Sequence, residues 1–179
     1  MDINLIVKIT SRAWALPILD KLHLGIPGRQ ATLLAATGAG RTAFLQSLDH
    51  LLMIGLLERN PGHGHPLRPE FRLTPAGEVA ARMANEVLNI VKADEQDLLR
   101  LSWTLPVLTT LQTPQQFGEI RRSLSSISDR ALSQSLRCME QRTWIHRRVD
   151  EATRPPRPFY SAINNGAMIS SVTNTMLVR

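Results

Sequence analysis

The sequence predicts a mainly α chain with small β-hairpins, an α+β class. Three observations lead there: an internal repeat, helical spacing of apolar residues, and glycine- and proline-rich tips between short β-like runs. The 179-residue chain is written twice. Trp14-Ala-Leu-Pro-Ile-Leu-Asp-Lys-Leu22 recurs as Trp103-Thr-Leu-Pro-Val-Leu-Thr-Thr-Leu111, an offset of 103 − 14 = 89. Ser47-Leu48 recurs as Ser135-Leu136 and Arg59 as Arg147, an offset of 135 − 47 = 88. Phe71 and Gly77 match Tyr160 and Gly166, again at 166 − 77 = 89. Solenoid units run about 20–50 residues, so this period is a whole small domain, duplicated. The expected organisation is residues 1–77, a connecting segment 78–101, and residues 102–179. A domain of roughly 60–80 residues buries only about 60% of its unfolded surface, so the copies are expected to share contacts.

In the first copy, Ile3, Ile6 and Ile9 are spaced like one helix face. Trp14 to Leu22 is helical in pattern, with Pro17 tolerated in a first turn. His23 to Gly28 reads as a loop, Gln30 to Ala36 as a short helix and Thr37 to Gly40 as a turn. Arg41 to Ile54 is a helix with Phe44, Leu48, Leu51 and Leu52 on one side, ended by Gly55. Residues 56–59 read as a strand, 60–69 as an irregular tip and 71–74 as the return strand.

The second copy keeps that order. Thr113-Pro-Gln-Gln116 reads as a capping-box start with Pro at the first helical position. Phe117, Ile120 and Leu124 mark a helix face, and residues 125–128 a turn. Ser128 is a natural N-cap, followed by Asp129 in the first turn and a buried face of Leu132, Leu136 and Met139. Residues 144–150, 151–158 and 159–163 read as strand, tip and strand. Between the copies, residues 78–101 read as one long helix. Val79, Met83, Val87, Ile90 and Val91 lie on it, and Val87 and Ile90 are expected to be buried between the copies. Residues 166–178 read as a terminal helix.

Two short helices, a tight turn and a β-hairpin make a winged helix-turn-helix. Its second helix fits the major groove of duplex DNA, about 12 Å wide. The outward residues are then the readers. In the second copy these are Arg130, Gln134 and Arg137, opposite the leucines, with Ser128 and Ser133 placed for phosphate. In the first copy the face is Arg41, Thr42, Gln46 and Asp49, where Asp49 would repel phosphate. The wing tips carry Arg68 in the first copy, and Arg154 and Arg157 in the second. Arginine pairs bidentately with guanine and glutamine with adenine, which is why these types on this face point to base reading. An ordinary solvated side chain is the competing reading for each of them.

The runs Trp103-Thr-Leu-Pro-Val-Leu, Gln116-Phe-Gly-Glu-Ile-Arg, Ile127-Ser-Asp-Arg-Ala-Leu-Ser-Gln-Ser-Leu, Arg147-Arg-Val and Pro155-Pro-Arg-Pro-Phe-Tyr-Ser fall in order over about residues 100–170. In them the chain resembles the HxlR-type winged-helix transcription regulators of bacteria. Residues 14–77 resemble a divergent second member. The resemblance implies DNA binding, usually by a homodimer on a palindromic site. Two copies in one chain then imply a covalent pseudo-dimer, with a homodimer of the whole chain left open. Some members sense electrophiles through a cysteine just before the Trp-containing helix. Here Arg12-Ala13 and Leu101-Ser102 stand there instead. Cys138 flanks the second reading helix and is read as structural.

The net charge is +6, nearly all of the basic residues being arginine. Residues 12–82 carry eight basic and five acidic groups, residues 83–99 one against four, and residues 100–160 ten against five. Two basic blocks flanking an acidic connector suit two modules facing double-stranded DNA. One cysteine excludes an internal disulfide and suits a reducing, cytoplasmic setting. No apolar run of about 18 residues or secretory leader is present, so no membrane partner is expected. His63-Gly-His65 is a poor metal scaffold, and residues 37–42 lack the ending of a phosphate loop. No metal, cofactor or catalytic residue is expected, and a small-molecule effector is left unspecified. The alternatives are a protein-docking winged-helix scaffold, or a regulator with a ligand pocket between the copies.

Overall fold

The computed structural model describes residues 2–60, 69–150 and 156–177. The chain is mainly helical, with two small antiparallel sheets. Helix α1 (Ile3–Thr10) is capped by the Asp2 carboxylate, which accepts from the Leu5 amide at 2.7 Å. Helix α2 (Ala15–His23) follows Trp14, and Pro17 falls in the first turn, where its missing N–H costs no bond. Helices α3 (Gln30–Thr37) and α4 (Arg41–Met53) then pack on α2, and strands β1 (Leu57–Arg59) and β2 (Phe71–Leu73) form a hairpin. The Thr74 hydroxyl caps α5 (Pro75–Ile90), which runs back along α2.

The second half repeats this order. Helix α7 (Thr104–Thr110) follows Trp103, as α2 follows Trp14. Strand β3 (Gln115–Gln116), helix α8 (Phe117–Ser123), helix α9 (Asp129–Gln141), strands β4 (Ile145–Asp150) and β5 (Arg157–Ala162) and helix α10 (Asn164–Leu177) complete it. The three strands run β3-β5-β4, with Arg147 opposite Tyr160 and Asp150 opposite Arg157. Among the described residues, the first half has a single bridge, Arg29 to Glu70, where the second has β3. Gly77 and Gly166 occupy matching close approaches. A Cβ at Gly77 would lie 1.9 Å from the Leu56 carbonyl oxygen, and one at Gly166 would lie 2.0 Å from that of Trp144. Both helices can therefore cross their hairpins only at glycine.

One apolar core runs through both halves, from Ile6 and Leu19 through Met83 and Val87 to Leu105 and Ile169. Helix α10 packs on both α5 and α7, and α1 reaches across to α7. There the buried Thr10 hydroxyl donates to the Ser102 carbonyl at 2.7 Å. The two halves of the chain therefore share one core.

Three expectations are corrected. Residues 78–101 are not one helix. Helix α5 ends at Val91, whose ψ of 130° is extended, and a 3₁₀ turn (Ala93–Glu95) leads into the short α6 (Gln96–Leu99). Asp94, Glu95 and Asp97 thus stand in first turns, where negative charge is favourable, and not in a helix interior. Second, Thr113-Pro114 does not begin a helix. Gln115 and Gln116 pair with Tyr160 and Phe159, and the capping box is closed by Gln116 and Glu119. Third, of the expected connector face, Met83, Val87 and Val91 are buried, Ile90 is half-buried and Val79 is exposed.

Candidate nucleic-acid interface

Helix α9 is positioned by its apolar side. Leu132, Leu136 and Met139 are buried at i, i+4 and i+7, with Ser135 among them. The Ser128 hydroxyl accepts from the Ala131 amide at 3.2 Å and fixes the helix start. Arg121 on α8 donates to the Asp129 carboxylate at 2.9 Å and ties the two helices of the motif together. That pair also keeps Asp129 from standing as a bare negative charge at the start of the exposed face of α9.

The opposite face of α9 is open. Arg130, Ser133, Gln134 and Arg137 are all exposed. Arg130, Ser133, Gln134 and Arg137 make no side-chain hydrogen bond or ion pair among the described residues. A helix of 13 residues is about 20 Å long and about 10–12 Å across, the size of a major groove. Cys138, on the flank of this face, is half-buried and unpaired as a disulfide.

The hairpin extends the basic surface. Ile145 anchors β4 in the core, and His146, Arg147, Arg148 and Val149 beyond it are exposed. Arg157 is exposed at the start of β5. Arg147 and Arg148 were missed as candidate contacts, although the run Arg147-Arg148 stood in the sequence. Pleat alternation suggests one inward residue of two, whereas a hairpin reaching past the core is wet on both faces. Arg122 on α8 is likewise exposed and was missed. Arg68 and Arg154 lie outside the described residues, as do His63 and His65.

In the first half, α4 exposes Arg41, Thr42, Gln46 and Asp49, as expected. Both reading-type helices are 13 residues long, and their N-caps differ by 128 − 40 = 88. In that register Gln46 matches Gln134, Thr42 matches Arg130, and Asp49 matches Arg137. The first helix begins at Gly40 with no side-chain cap. On its hairpin, Arg72 donates to Glu58 at 2.7 Å, which neutralises one of the available cations. The two faces are thus alike in build and unlike in charge.

Residues 98–178 match the HxlR-like helix-turn-helix family model. No curated protein matches the chain. Among solved structures, the reduced form of the transcriptional regulator YodB from B. subtilis is similar at 26% identity and a TM-score of 0.39. The match covers 45% of this chain and 79% of that one. The HxlR-like segment therefore begins within α6 and includes the whole of α7 to α10.

Among the described residues, no cluster of three or more His, Cys, Asp or Glu is arranged to hold a metal ion. No helix among them is long and apolar enough to cross a membrane.

Proposed function

We propose that the chain is a sequence-specific, double-stranded DNA-binding transcriptional regulator that uses two covalently linked winged helices. The observation that carries this reading is the exposed, unpartnered face of α9 bearing Arg130, Gln134 and Arg137 beside the basic hairpin. Arg130 and Arg137 supply bidentate donors for guanine, and Gln134 suits adenine. Ser128 and Ser133, with Arg147, Arg148, Arg154 and Arg157, contact phosphates and set register. The match of residues 98–178 to a helix-turn-helix family supports the same conclusion.

The first winged helix, residues 1–77, uses Arg41, Thr42, Gln46 and Arg68 on a second half-site. Support comes from the repeated element order, the equal lengths of α4 and α9, and the paired glycines Gly77 and Gly166. The two copies are related by an approximate two-fold axis. Helix α1 reaches the second copy's Trp helix, and Arg100, which follows α6, lies over Trp14 of the first. Reciprocal contacts of this kind are what an isologous pairing gives.

A titration of the full chain with duplex DNA at two salt concentrations tests the reading. Affinity should fall steeply with salt, with a log–log slope near −0.9 per phosphate contacted. A flat response overturns DNA binding and leaves protein docking as the use of the same faces. On a selected operator, Arg130→Ala and Gln134→Ala should each cost roughly 1–3 kcal/mol. Unchanged affinity for both variants would remove α9 as the reader.

A further inference from the structure

A cavity of about 520 Å³ opens between the start of α2, the end of α3 and the connector. That is the size of a small-molecule site, which runs about 300–1,000 Å³. It belongs to the first copy and the connector, and no residue of α7 to α10 lines it. Its walls are mixed: Trp14, Pro17, Leu88 and Leu99 are apolar, and Thr37, Asn89 and Gln96 are polar. Asp20, which is buried, also lines it. The Asp20 carboxylate is already held, accepting from Asn85 Nδ2 at 2.8 Å and from Lys21 Nζ at 2.9 Å. Arg100 is exposed, with its guanidinium carbon 5.1 Å from the Trp14 ring centroid. It makes no ion pair among the described residues. With Asp20 compensated, the charge left over in the lining is a guanidinium beside an indole.

We propose that this cavity binds a small planar organic acid, with its ring among Trp14, Pro17 and Leu99 and its carboxylate on Arg100. A planar guanidinium fork matches a carboxylate bidentately. The indole and proline surfaces favour a flat apolar body over a compact inorganic anion. The site has a structural consequence. Arg100 stands three residues before Trp103, the N-cap of α7. A ligand held by both α2 and Arg100 fixes the connector against the first copy, beyond the extended residue Val91 that interrupts it. It thereby sets how the chain enters the second copy.

The test uses the full chain, isotope-labelled, with the Trp14 indole N–H signal assigned through Trp14→Phe. The probes are 4-hydroxybenzoate and tyramine, phenols of similar size and opposite charge. 4-Hydroxybenzoate should move the Trp14 signal saturably in the micromolar to millimolar range, on the order of 10⁻⁵–10⁻³ M. It should leave the buried Trp144 signal in place, and tyramine should move neither. Arg100→Gln should weaken 4-hydroxybenzoate binding by about tenfold or more, a loss of about 1.4 kcal/mol. The exposed position of Arg100 lets that variant fold, and an unchanged Trp144 signal verifies it. No saturable shift, an equal response to tyramine, or unchanged binding in Arg100→Gln each overturns the proposal. None of these readouts uses DNA, so their failure is distinct from failure of the DNA-binding reading.

Discussion

Thr143 has a φ of 54°, in the left-handed region that β-branched residues avoid. It ends α9 just as Gly55, at φ 74°, ends α4, and the two differ by 143 − 55 = 88 in the repeat. The first half thus has the glycine that this C-terminal turn favours, and the second half stores strain there. Thr143→Gly should therefore raise stability by roughly 1 kcal/mol, read as a higher urea midpoint with unchanged slope. Thr104 tells a similar story. Its hydroxyl is fully buried and has no hydrogen-bond partner among the described residues, and the matching residue in the first copy is Ala15. An unmet buried hydroxyl costs about 1–3 kcal/mol, so Thr104→Val should melt higher than the parent chain. A lower melting temperature would show that the hydroxyl has a partner, such as a water. Gly166→Ala goes the other way. Its new Cβ would meet the Trp144 carbonyl, so a loss of at least about 2 kcal/mol is expected by the same melt.

Element by element, the helices were legible because their apolar residues fall at helical spacing, and α9 most clearly so. Ser128, Asp129 and the 132, 136, 139 stripe are local signals, and the structure keeps every one of them. The exposed face followed, since it is what remains when that stripe is buried. What sequence could not show was set by distant partners. Strand β3 exists because Gln115 and Gln116 find Tyr160 and Phe159 across 45 residues of chain, 160 − 115. No property of Thr113-Pro-Gln-Gln announces that pairing. The break at Val91 is hidden by apolar spacing that continues through it, and the acidic cluster after it signals charge but no turn. Asp97 accepts from Arg142 at 3.0 Å and Glu95 from Asn165 at 3.1 Å, so the turned connector docks on the second copy. Val87 is fully buried and Ile90 only half so. Val87→Ala should therefore cost about 1–3 kcal/mol and Ile90→Ala clearly less. Equal costs in a denaturant melt would mean that Ile90 is covered as Val87 is.

For the whole molecule, the charge distribution and the proposed two-fold relation make a joint statement about stoichiometry. On the proposed reading, a chain with one winged helix would have to pair with a second chain to present two reading helices, whereas here α4 and α9 are joined by a connector that packs on both halves. Helix α10 lies on α5 as well as on α7, so part of its surface is already covered within this chain. One chain should then cover one operator of two unlike half-sites, whose centres are roughly 34 Å apart in the usual helix-turn-helix spacing. The halves should not contribute equally. Asp49 stands where the second copy has Arg137, and Arg72 is engaged by Glu58, so the first half-site should be held more weakly. Sedimentation of the complex at micromolar concentration should give one chain per duplex. Arg147→Ala and Arg148→Ala should each reduce the salt slope by about one without changing the preferred sequence. Asp49→Arg should tighten binding and steepen the slope, because it removes a repulsion of phosphate and places a cation on the face that enters the groove. Two chains per duplex, each engaged through α9 alone, would show that α4 is not a reader and that the repeat serves to hold the connector.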